Sequence, residues 1–515
     1  MELPPVPHPL VAYLCAGLLL AGLVATRLRR RPHYPPGPKG LPLIGNLFDI
    51  PTDYAWRIYR VFGDQYGSDI IHFEVFGTHL VILNSAKAAR DLFEKRSSIY
   101  SDRPRSVMLH ELTRWSRSFG FMQHGDEWRE HRRLFNMHFR PSATTQYHAK
   151  QKSAVCTLLR SLLDAPEQFR EHVHFMAGDV IMGIVYGFDV QPGDSRLQLV
   201  EKAVMTLNQI VNAGVYLVDV IPALKYIPAW FPGAGFKRHA AEWKKLVDDM
   251  FEIPYRESMK SLQEGKSESS FAASLLAQLE GQESPDNIER IAMDVLGTTY
   301  VAGSDTIITA TSTFLLAMIL HPEVQITVQA ELDALLEGAR LPNISDKAAL
   351  PSVTAVLQEV LRWNPGLPLV PHRVVADDEY KGYHIPAGAA VIGNTWAMLH
   401  DETTYPDPEP FKPQRFLNKD GTLNSEVPYP TDVFGHGRRM CPGRHFAHDM
   451  LWLTIASILT VYKVERDVDE DGQEITPTAS FTSRFVSVPT PFRCRFTPRS
   501  ASAESLIRSS GVSTE

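Results

Sequence analysis

A glycine-rich turn around Cys441 holds the residues best suited to chemistry. Residues 434–443 read FGHGRRMCPG, and Gly435 and Gly437 allow a tight turn with positive φ that brings backbone close to a flat ligand. A helical pattern begins just after Cys441, so its sulfur lies at a helix N-terminus. Backbone N–H groups and the helix dipole favour the thiolate there. The turn therefore indicates a thiolate that binds a metal, with iron as the expected ion.

Two other roles for Cys441 remain open at this point. A lone cysteine is most often a buried free thiol, and four cysteines in 515 residues do not form a disulfide framework. Their scarcity is typical of a reducing compartment. A zinc site built from Cys441, His445 and His448 is the second alternative. It lacks the further thiolates or the Cys-x-x-Cys pair that zinc sites normally have.

A second candidate lies in an apolar helical stretch at residues 295–320, where Asp305 is the only charge. A helix without a charged face should be buried. Within it, Gly303 weakens a helix by about 1 kcal/mol relative to alanine, and Asp305 and Thr306 add polar groups that need partners. This cost indicates a local opening for a small molecule such as O2, with an acid and an alcohol that relay protons. The alternative is a helix kink with a satisfied polar pair.

The turn resembles a known signature. Phe434, Gly437, Arg439, Cys441 and Gly443 match F-x-x-G-x-R-x-C-x-G, the heme-binding motif of the cytochrome P450 family, here of the microsomal and fungal type. The resemblance implies heme b as the cofactor, with Cys441 as the thiolate ligand of its iron, and Arg439 and Phe434 in contact with the heme. A thiolate ligand pushes electron density onto iron and favours O–O cleavage.

The apolar helix also resembles the family. Residues 302–306 (AGSDT) match [AG]-G-x-[DE]-T, which implies that Thr306 hydrogen-bonds O2 at the heme and that Asp305 helps to deliver protons. These two residues are the predicted catalytic pair. The next residue, Ile307, departs from the second hydroxyl that many members carry, which puts in doubt how tightly protons are coupled to oxygen.

Three more positions are predicted to contact the heme. Trp128 and Arg132 stand four apart, hence on one helical face, and match the family's W-x-x-x-R, whose side chains contact heme propionates. Without the resemblance, an amphipathic helix with a surface arginine pair explains them equally well. Arg373, in Pro-His-Arg, matches another position that contacts propionate.

One further motif is structural. Glu359 and Arg362 at i, i+3 can pair on a helix and match the family's E-x-x-R, while Arg415 matches the arginine that completes this ion-pair cluster. The cluster is expected to hold the loop before Cys441 in place and to take no part in the chemistry.

The predicted organisation is an N-terminal membrane anchor with a basic stop (1–31), a proline-rich hinge (32–45), a heme-thiolate domain (46–496) and a disordered, Ser-rich tail (497–515). Residues 3–26 contain no charged side chain, and roughly 20 apolar residues span a bilayer. Arginines follow directly, so the body is expected in the cytosol. A cleaved signal peptide would need a positive segment ahead of the apolar run, and only Glu2 precedes it.

The predicted fold class is mainly α with small β-sheets (α+β) behind the single transmembrane helix. Two extended runs, Ile70–Val75 and His79–Leu83, look like a hairpin. Residues 85–360 are mostly helical in pattern, and strand-like sequence returns at 369–395. The formal net charge of −7 gives no indication of a nucleic-acid partner.

The resemblance implies a monooxygenase that inserts one atom of O2 into a hydrophobic small molecule. The chain has no G-x-G-x-x-G unit for a dinucleotide, so electrons are expected from NADPH through a separate partner, the NADPH–cytochrome P450 reductase. Arg129, Arg133 and Arg438 are the predicted docking face. The expected location is the endoplasmic reticulum membrane, single-pass, with the catalytic domain cytosolic. The sequon at Asn343 should then carry no sugar.

The substrate is expected to be a terpenoid, polyketide or indole scaffold of secondary metabolism. The alternatives are a broad-specificity, xenobiotic-oxidising enzyme, a reductase-independent isomerase or dehydratase, and a heme sensor or carrier without turnover. The apolar residues 215–236 resemble the family's loop that dips into the membrane, with core packing as the other interpretation. Residues proposed to line the pocket, by alignment position, are Phe119, Phe121, Val295, Thr299, Ala302, Leu369, Val370 and Phe481.

Overall fold

The computed structural model describes residues 32–212, 216–266, 269–279 and 285–510. The predicted anchor, residues 1–31, lies outside the described residues. The described body is mainly helical with small sheets, as predicted.

The longer helices of the described chain are α1 (Ala55–Tyr66), α2 (Asp126–Phe139), α3 (His148–Asp164), α4 (Phe169–Tyr186), α5 (Ser195–Asn212), α6 (Gly235–Gln263), α7 (Phe271–Leu279), α8 (Pro285–Leu320), α9 (Pro322–Leu336), α10 (Pro351–Trp363), α11 (Arg444–Val461) and α12 (Ala501–Ser509). Short α-helical turns cover Ala86–Ala89, Ser97–Tyr100, Pro141–Thr144, Leu217–Val220 and Thr395–Leu399. Two π-helical segments, Arg90–Lys95 and Val107–Leu112, flank the loop that contains Asp102.

The strands are β1 (Ile70–Val75), β2 (Thr78–Leu83), β3 (Leu369–Arg373), β4 (Asp378–Tyr380), β5 (Tyr383–Ile385), β6 (Ala390–Asn394), β7 (Tyr462–Val468), β8 (Glu474–Ile475) and β9 (Cys494–Pro498). The predicted hairpin is confirmed, since β1 pairs antiparallel with β2. Strand β2 then pairs in parallel with β6, and β3 closes this sheet in the order β1-β2-β6-β3. The sheet therefore joins the start of the body to the segment that carries Arg373.

Helix α8 runs through the main core and packs against α4, α6, α10 and α11. Among the described residues, the stretch Asn287–Leu320 is long and apolar enough to cross a membrane, but 67% of its most apolar window is buried inside the protein. This burial is expected for a helix without a charged face. The stretch is therefore the central core helix.

The predicted disorder of the tail from Thr497 is wrong for the described part. Strand β9 continues to Pro498, and α12 follows. The Oγ of Ser500 accepts a hydrogen bond from the N–H of Ala503, so it caps this helix in the way that serine commonly does. Ile507 is fully buried against the main core. A Ser-rich composition thus concealed a helix with one apolar face.

Candidate active site

The turn before Cys441 has the geometry that its glycines predict. Gly435 and Gly437 have φ values of 76° and 56°, a region that favours glycine. The N–H of Cys441 donates to the carbonyl oxygen of Phe434 at 2.7 Å, which closes the turn. A Cβ on Gly437 would lie 2.0 Å from the carbonyl oxygen of Phe93. Position 437 therefore requires glycine for close approach as well as for conformation.

The sulfur of Cys441 receives several groups that favour its anion. Helix α11 begins at Arg444, and the N–H groups of Gly443 and Arg444, with the guanidinium groups of Arg132 and Arg444, act to lower the pKa of the thiol. Burial has the larger effect and raises that pKa. A coordinating metal ion deprotonates such a thiol outright, so the surroundings suit a ligand better than an ordinary thiol.

The zinc alternative has no support in the described part of the chain. No group of three or more metal-ligating side chains gathers there. His448 is engaged with Lys347, whose Nζ donates to its Nδ1 at 2.8 Å. Cys156 and Cys494, by contrast with Cys441, are buried core residues, as lone cysteines usually are.

Three guanidinium groups cluster around Arg439, two residues before Cys441. Arg439 donates to the carbonyl oxygens of Ser101 and Met122 at 2.8 and 2.7 Å, and it lies 4.4 Å above the ring of Trp128. Arg132 donates to the carbonyl oxygen of Met440. The sequence-predicted pair of Trp128 and Arg132 thus meets Arg439 at one place.

The third guanidinium belongs to Arg103, which the sequence analysis missed. Burial, together with the charges of Arg103 and Arg132, lowers the pKa of Arg439 to about 8, while Asp102 opposes this shift. Burial also lowers the pKa values of Arg103 and Arg132 to about 10. Buried like charges need compensation, and Asp102 alone is insufficient. The donor set therefore fits a ligand with two carboxylates, such as the propionates of heme.

Arg103 had no distinguishing signal in the sequence. Arg105 stands two positions later in the same stretch and is exposed, whereas Arg103 is half-buried. The Nε of Arg103 donates to the carbonyl oxygen of Gly120 at 3.0 Å, a contact between segments remote from each other in the chain. Only the tertiary fold distinguishes the two arginines.

Arg373 and Phe434 lie at the margin of this cluster. Arg373 ends β3, and its Nη1 donates to Asp102 at 3.1 Å. Asp102 also accepts from the N–H of His124 at 2.8 Å. Arg373 is therefore linked to the arginine cluster through Asp102, whose carboxylate also acts on Arg439. Phe434 is half-buried and packs at the edge of the main core.

The predicted proton relay lies on α8, which packs against α11. Ala302 and Thr306 are exposed on this otherwise core helix, one turn apart, so they share a face that borders open space. The Oγ1 of Thr306 donates to the carbonyl oxygen of Ala302 at 3.0 Å. Burial raises the pKa of Asp305 to about 6. The helix assignment continues across these residues.

The predicted structural cluster is confirmed. Glu359 and Arg362 are both fully buried and form two hydrogen bonds of 2.7 and 2.9 Å. Arg415 approaches Glu359 to 3.2 Å, and the N–H of Lys412 donates to it at 2.7 Å. The cluster ties α10 to the segment that leads towards the cysteine turn.

Two of the three arginines of the predicted docking face pair with acids of their own helix. Arg129 pairs with Asp126, and Arg133 pairs with Glu130 at 2.6 Å. Both are exposed, as predicted. Their pairing reduces the positive charge that this face offers to a partner.

The predicted pocket residues divide into two groups. Phe119, Val295 and Thr299 are buried, whereas Ala302 faces open space and the remaining four are half-buried. Phe121 lies 6.3 Å from Phe485, centroid to centroid, and Phe481 packs edge-on against Trp363 at 5.3 Å. Part of the surface of Phe121 and Phe481 is thus covered by other aromatic rings.

The site thus combines a thiol in a glycine turn, a cluster of three arginines and an acid–alcohol pair on a core helix, which are features expected of a heme-thiolate oxygenase. The chain belongs to the cytochrome P450 family, whose sequence profile matches residues 35–495. Cytochrome P450 monooxygenase ple1 of Rhodocybe pseudopiperita is 42% identical over 496 residues, 96% of this chain and 95% of that protein. Cytochrome P450 monooxygenase 98 of Postia placenta is 41% identical, over 94% of each chain.

A third relative is tryptamine 4-monooxygenase of Psilocybe cyanescens, which is 40% identical over 94% of this chain and 97% of its own length. The family membership establishes the chain as a cytochrome P450 monooxygenase, an oxidoreductase. Its cofactor is heme, with iron and a cysteine thiolate as axial ligand. The relatives are fungal, in agreement with the predicted type.

Proposed function

We propose that Cys441 is the axial ligand and that the chain oxidises a hydrophobic small molecule of secondary metabolism, with electrons from NADPH through a separate reductase. The observation that carries this proposal is the cluster of buried Arg439 with half-buried Arg103 and Arg132 beside the cysteine turn, with Asp102 as their compensating carboxylate. This group matches the needs of a dianionic, planar cofactor. The same surroundings have no evident use around an ordinary buried thiol.

The residues divide the work by position. Bound heme supplies the activation of O2. Arg103, Arg132 and Arg439 would hold its carboxylates, and Trp128 lies against Arg439 in a cation–π contact. Arg373 and Phe434 support the edge of the site.

On α8, Thr306 and Asp305 hold protons at defined atoms. The Oγ1 of Thr306 donates to the carbonyl oxygen of Ala302 in this conformation, and rotation of the side chain would release this proton for transfer. Asp305 has a pKa of about 6 because burial disfavours its charge. A carboxyl with such a pKa can give and regain a proton near neutral pH.

The substrate class is inferred from relatives and from the residues near α8. The relatives include an enzyme named for an indole amine, tryptamine, and this supports a secondary-metabolite substrate over a xenobiotic. The candidate pocket residues are almost all apolar, which favours a hydrophobic molecule. An isomerase or dehydratase has no need of the Asp305–Thr306 pair, so that alternative is disfavoured.

The segment before α6 supports membrane contact. Tyr226 and Trp230 are 78% and 79% exposed, and Leu217, Ile221 and Phe231 are exposed beside them in sequence. A contiguous exposed apolar patch marks an interaction site, which favours the membrane-dipping role over core packing. Together with the predicted anchor, this supports a location at the endoplasmic reticulum membrane.

The proposed topology makes a prediction at Asn343. Its side chain caps the helical turn Ile344–Ala349 and accepts a hydrogen bond from Lys152 at 2.9 Å. Mass spectrometry of protein from its native host should find Asn343 without a glycan. A glycan there would contradict a cytosolic body.

Cys441→Ala tests the ligand. The reduced protein with CO should lose the long-wavelength Soret band of thiolate-ligated heme, whereas Cys156→Ala, a buried control, should keep it. A retained band in Cys441→Ala would refute the assignment.

Thr306→Ala tests the relay. Heme binding should be unchanged, while the share of NADPH electrons released as hydrogen peroxide rises by a factor of about 10 or more, as expected for loss of a proton donor. Peroxide release equal to that of the unchanged enzyme would remove Thr306 from the relay.

A further inference from the structure

A small cavity lies between α4, α5 and α8. Its volume is about 20 Å³, which is enough for one ordered water molecule. Its lining includes His174 and Gly178 from α4, Glu201 from α5, and Tyr300 and Asp305 from α8. One wall of the cavity is therefore the acid of the proposed relay.

Two half-exposed titratable side chains link the lining of the cavity with the protein surface. The Nδ1 of His174 lies 3.5 Å from Oε1 of Glu201, and their side chains are 47% and 51% exposed. Both residues also line the cavity. Imidazole and carboxylate groups exchange protons readily with water. The two side chains thus connect bulk water with the interior at Asp305.

Both His174 and Glu201 affect the pKa of Asp305. Burial is the main reason that its pKa rises to about 6; His174 lowers this pKa and Glu201 raises it. Within the described chain, no ion pair or hydrogen bond of its carboxyl contributes to this shift. A buried carboxyl without a fixed partner is costly, and access to water through the cavity explains how it is tolerated.

Gly178 keeps the cavity open. It lies inside α4 with no left-handed turn to require it, and glycine in a helix costs about 1 kcal/mol relative to alanine. A Cβ on Gly178 would lie 2.7 Å from Cδ2 of Leu197 and 3.5 Å from Oη of Tyr300. Alanine at position 178 would therefore intrude on the cavity beside Tyr300.

We propose that His174 and Glu201 form a proton-uptake port, which passes protons from bulk water through this cavity to Asp305. The inference rests on the proposed relay of Asp305 and Thr306 and adds its outer half. A proton moves from water to His174 or Glu201, then through the cavity water to the Asp305 carboxylate. Asp305 releases a proton towards Thr306 and is reprotonated by the same route, so no electron moves in this step.

Few other titratable groups influence the cavity. Burial raises the pKa of Tyr300 beyond the range of physiological titration. The nearby groups Glu201, Asp305, Tyr186 and Asp194 raise it further. Asp194 is neutralised by Arg196 in an ion pair of 2.5 Å. After burial, His174 and Glu201 are therefore the groups that act on the pKa of Asp305.

The test uses the heme-loaded, full-length enzyme with its reductase. The double variant His174→Ala/Glu201→Gln should slow turnover at pH 8 about tenfold and increase both the solvent deuterium isotope effect and peroxide release. The matched control His172→Ala/Glu171→Gln makes the same changes on α4 outside the cavity and should behave like the unchanged enzyme. Equal behaviour of the two double variants would overturn the port.

A second readout is independent of turnover. Infrared titration of the heme-loaded protein follows the Asp305 carboxyl, with Asp305→Asn identifying its band. His174→Ala should raise the pKa of Asp305, and Glu201→Gln should lower it, because each change removes one of the charges that act on it. If the pKa of Asp305 is unchanged in both variants, His174 and Glu201 do not act on Asp305 through the cavity.

Blocking the cavity gives a third comparison. Gly178→Ala should slow proton uptake in the same way as the port variants. Gly183→Ala should not, since its Cβ would meet only the flexible end of Lys150. A Gly178→Ala enzyme with an unchanged isotope effect would count against the route.

The failures of the two proposals are distinguishable. If Asp305→Asn leaves peroxide release unchanged, the relay itself is wrong. If Asp305→Asn uncouples the enzyme and the port variants do not, the relay stands and the port is overturned. If the port acts through Asp305, the double variant should have no further effect in the Asp305→Asn background, because residues that act in series are not additive.

Discussion

The fully buried pair of Glu359 and Arg362 allows a quantitative test of how the fold supports the cysteine turn. Glu359 accepts hydrogen bonds from Arg362 and from the N–H of Lys412, and Arg415 lies 3.2 Å away. Glu359→Gln keeps the size and shape of the side chain. It removes the negative charge that offsets two guanidinium groups.

The expected cost follows from burial. Removing one partner of a buried ion pair leaves an uncompensated charge and costs about 3–5 kcal/mol, a large part of a stability of about 5–15 kcal/mol. Glu409→Gln is the matched control, because Glu409 pairs with Arg57 at 3.6 Å with both side chains half exposed or more. Such an exposed pair contributes less than about 1 kcal/mol.

The assay is a urea titration of the heme-loaded protein, followed by the Soret band and by far-ultraviolet circular dichroism. Glu359→Gln should lower the midpoint of heme loss well below that of Glu409→Gln, because the loop before Cys441 loses its attachment to α10. Equal midpoints for the two variants would refute this account of the cluster.

Three other changes have defined outcomes. Folding raises the pKa of Asp305 to about 6, so the stability of the folded protein should fall as the pH rises from about 4 to 6. Asp305→Asn should remove this fall. In thermal unfolding at pH 7, the variant should gain up to about 3 kcal/mol relative to the unchanged enzyme. Ile507→Ala should cost about 2–5 kcal/mol in urea unfolding, and Leu506→Ala less, since Leu506 is only half-buried. Gly437→Ala should reduce the yield of heme-loaded protein several-fold. The control Gly472→Ala, at a φ of 77° with open space around it, bears only backbone strain of about 1–2 kcal/mol. Equal yields of the two variants would refute the close approach at position 437.

Much of the site was predictable because its signals are local. Gly437 and Cys441 lie in one turn, Glu359 and Arg362 are one helical turn apart, and Asp305 is the only charge in an apolar run. Short-range spacing of this kind maps directly onto a helix face or a turn.

The remainder depended on tertiary contacts. Arg103 joins the arginine cluster only because the loop that carries it meets residues around Gly120 and Pro371. The helix at Ala501–Ser509 was missed for a different reason. Ser500 as a cap and an apolar pair at Ala503 and Ile507 were visible in the sequence, but the Ser-rich composition outweighed them.

The crowding of Arg103, Arg132 and Arg439 has a consequence for how this protein accumulates in a cell. Without a dianion among them, the folded chain bears the mutual repulsion of three closely spaced cations. A ligand that binds only the native state adds about 2.7 kcal/mol of stability when its free concentration is 100 times its Kd. Under the proposed arrangement, the supply of heme therefore sets the amount of enzyme that survives quality control, and a heme-starved host should degrade this chain rather than store it.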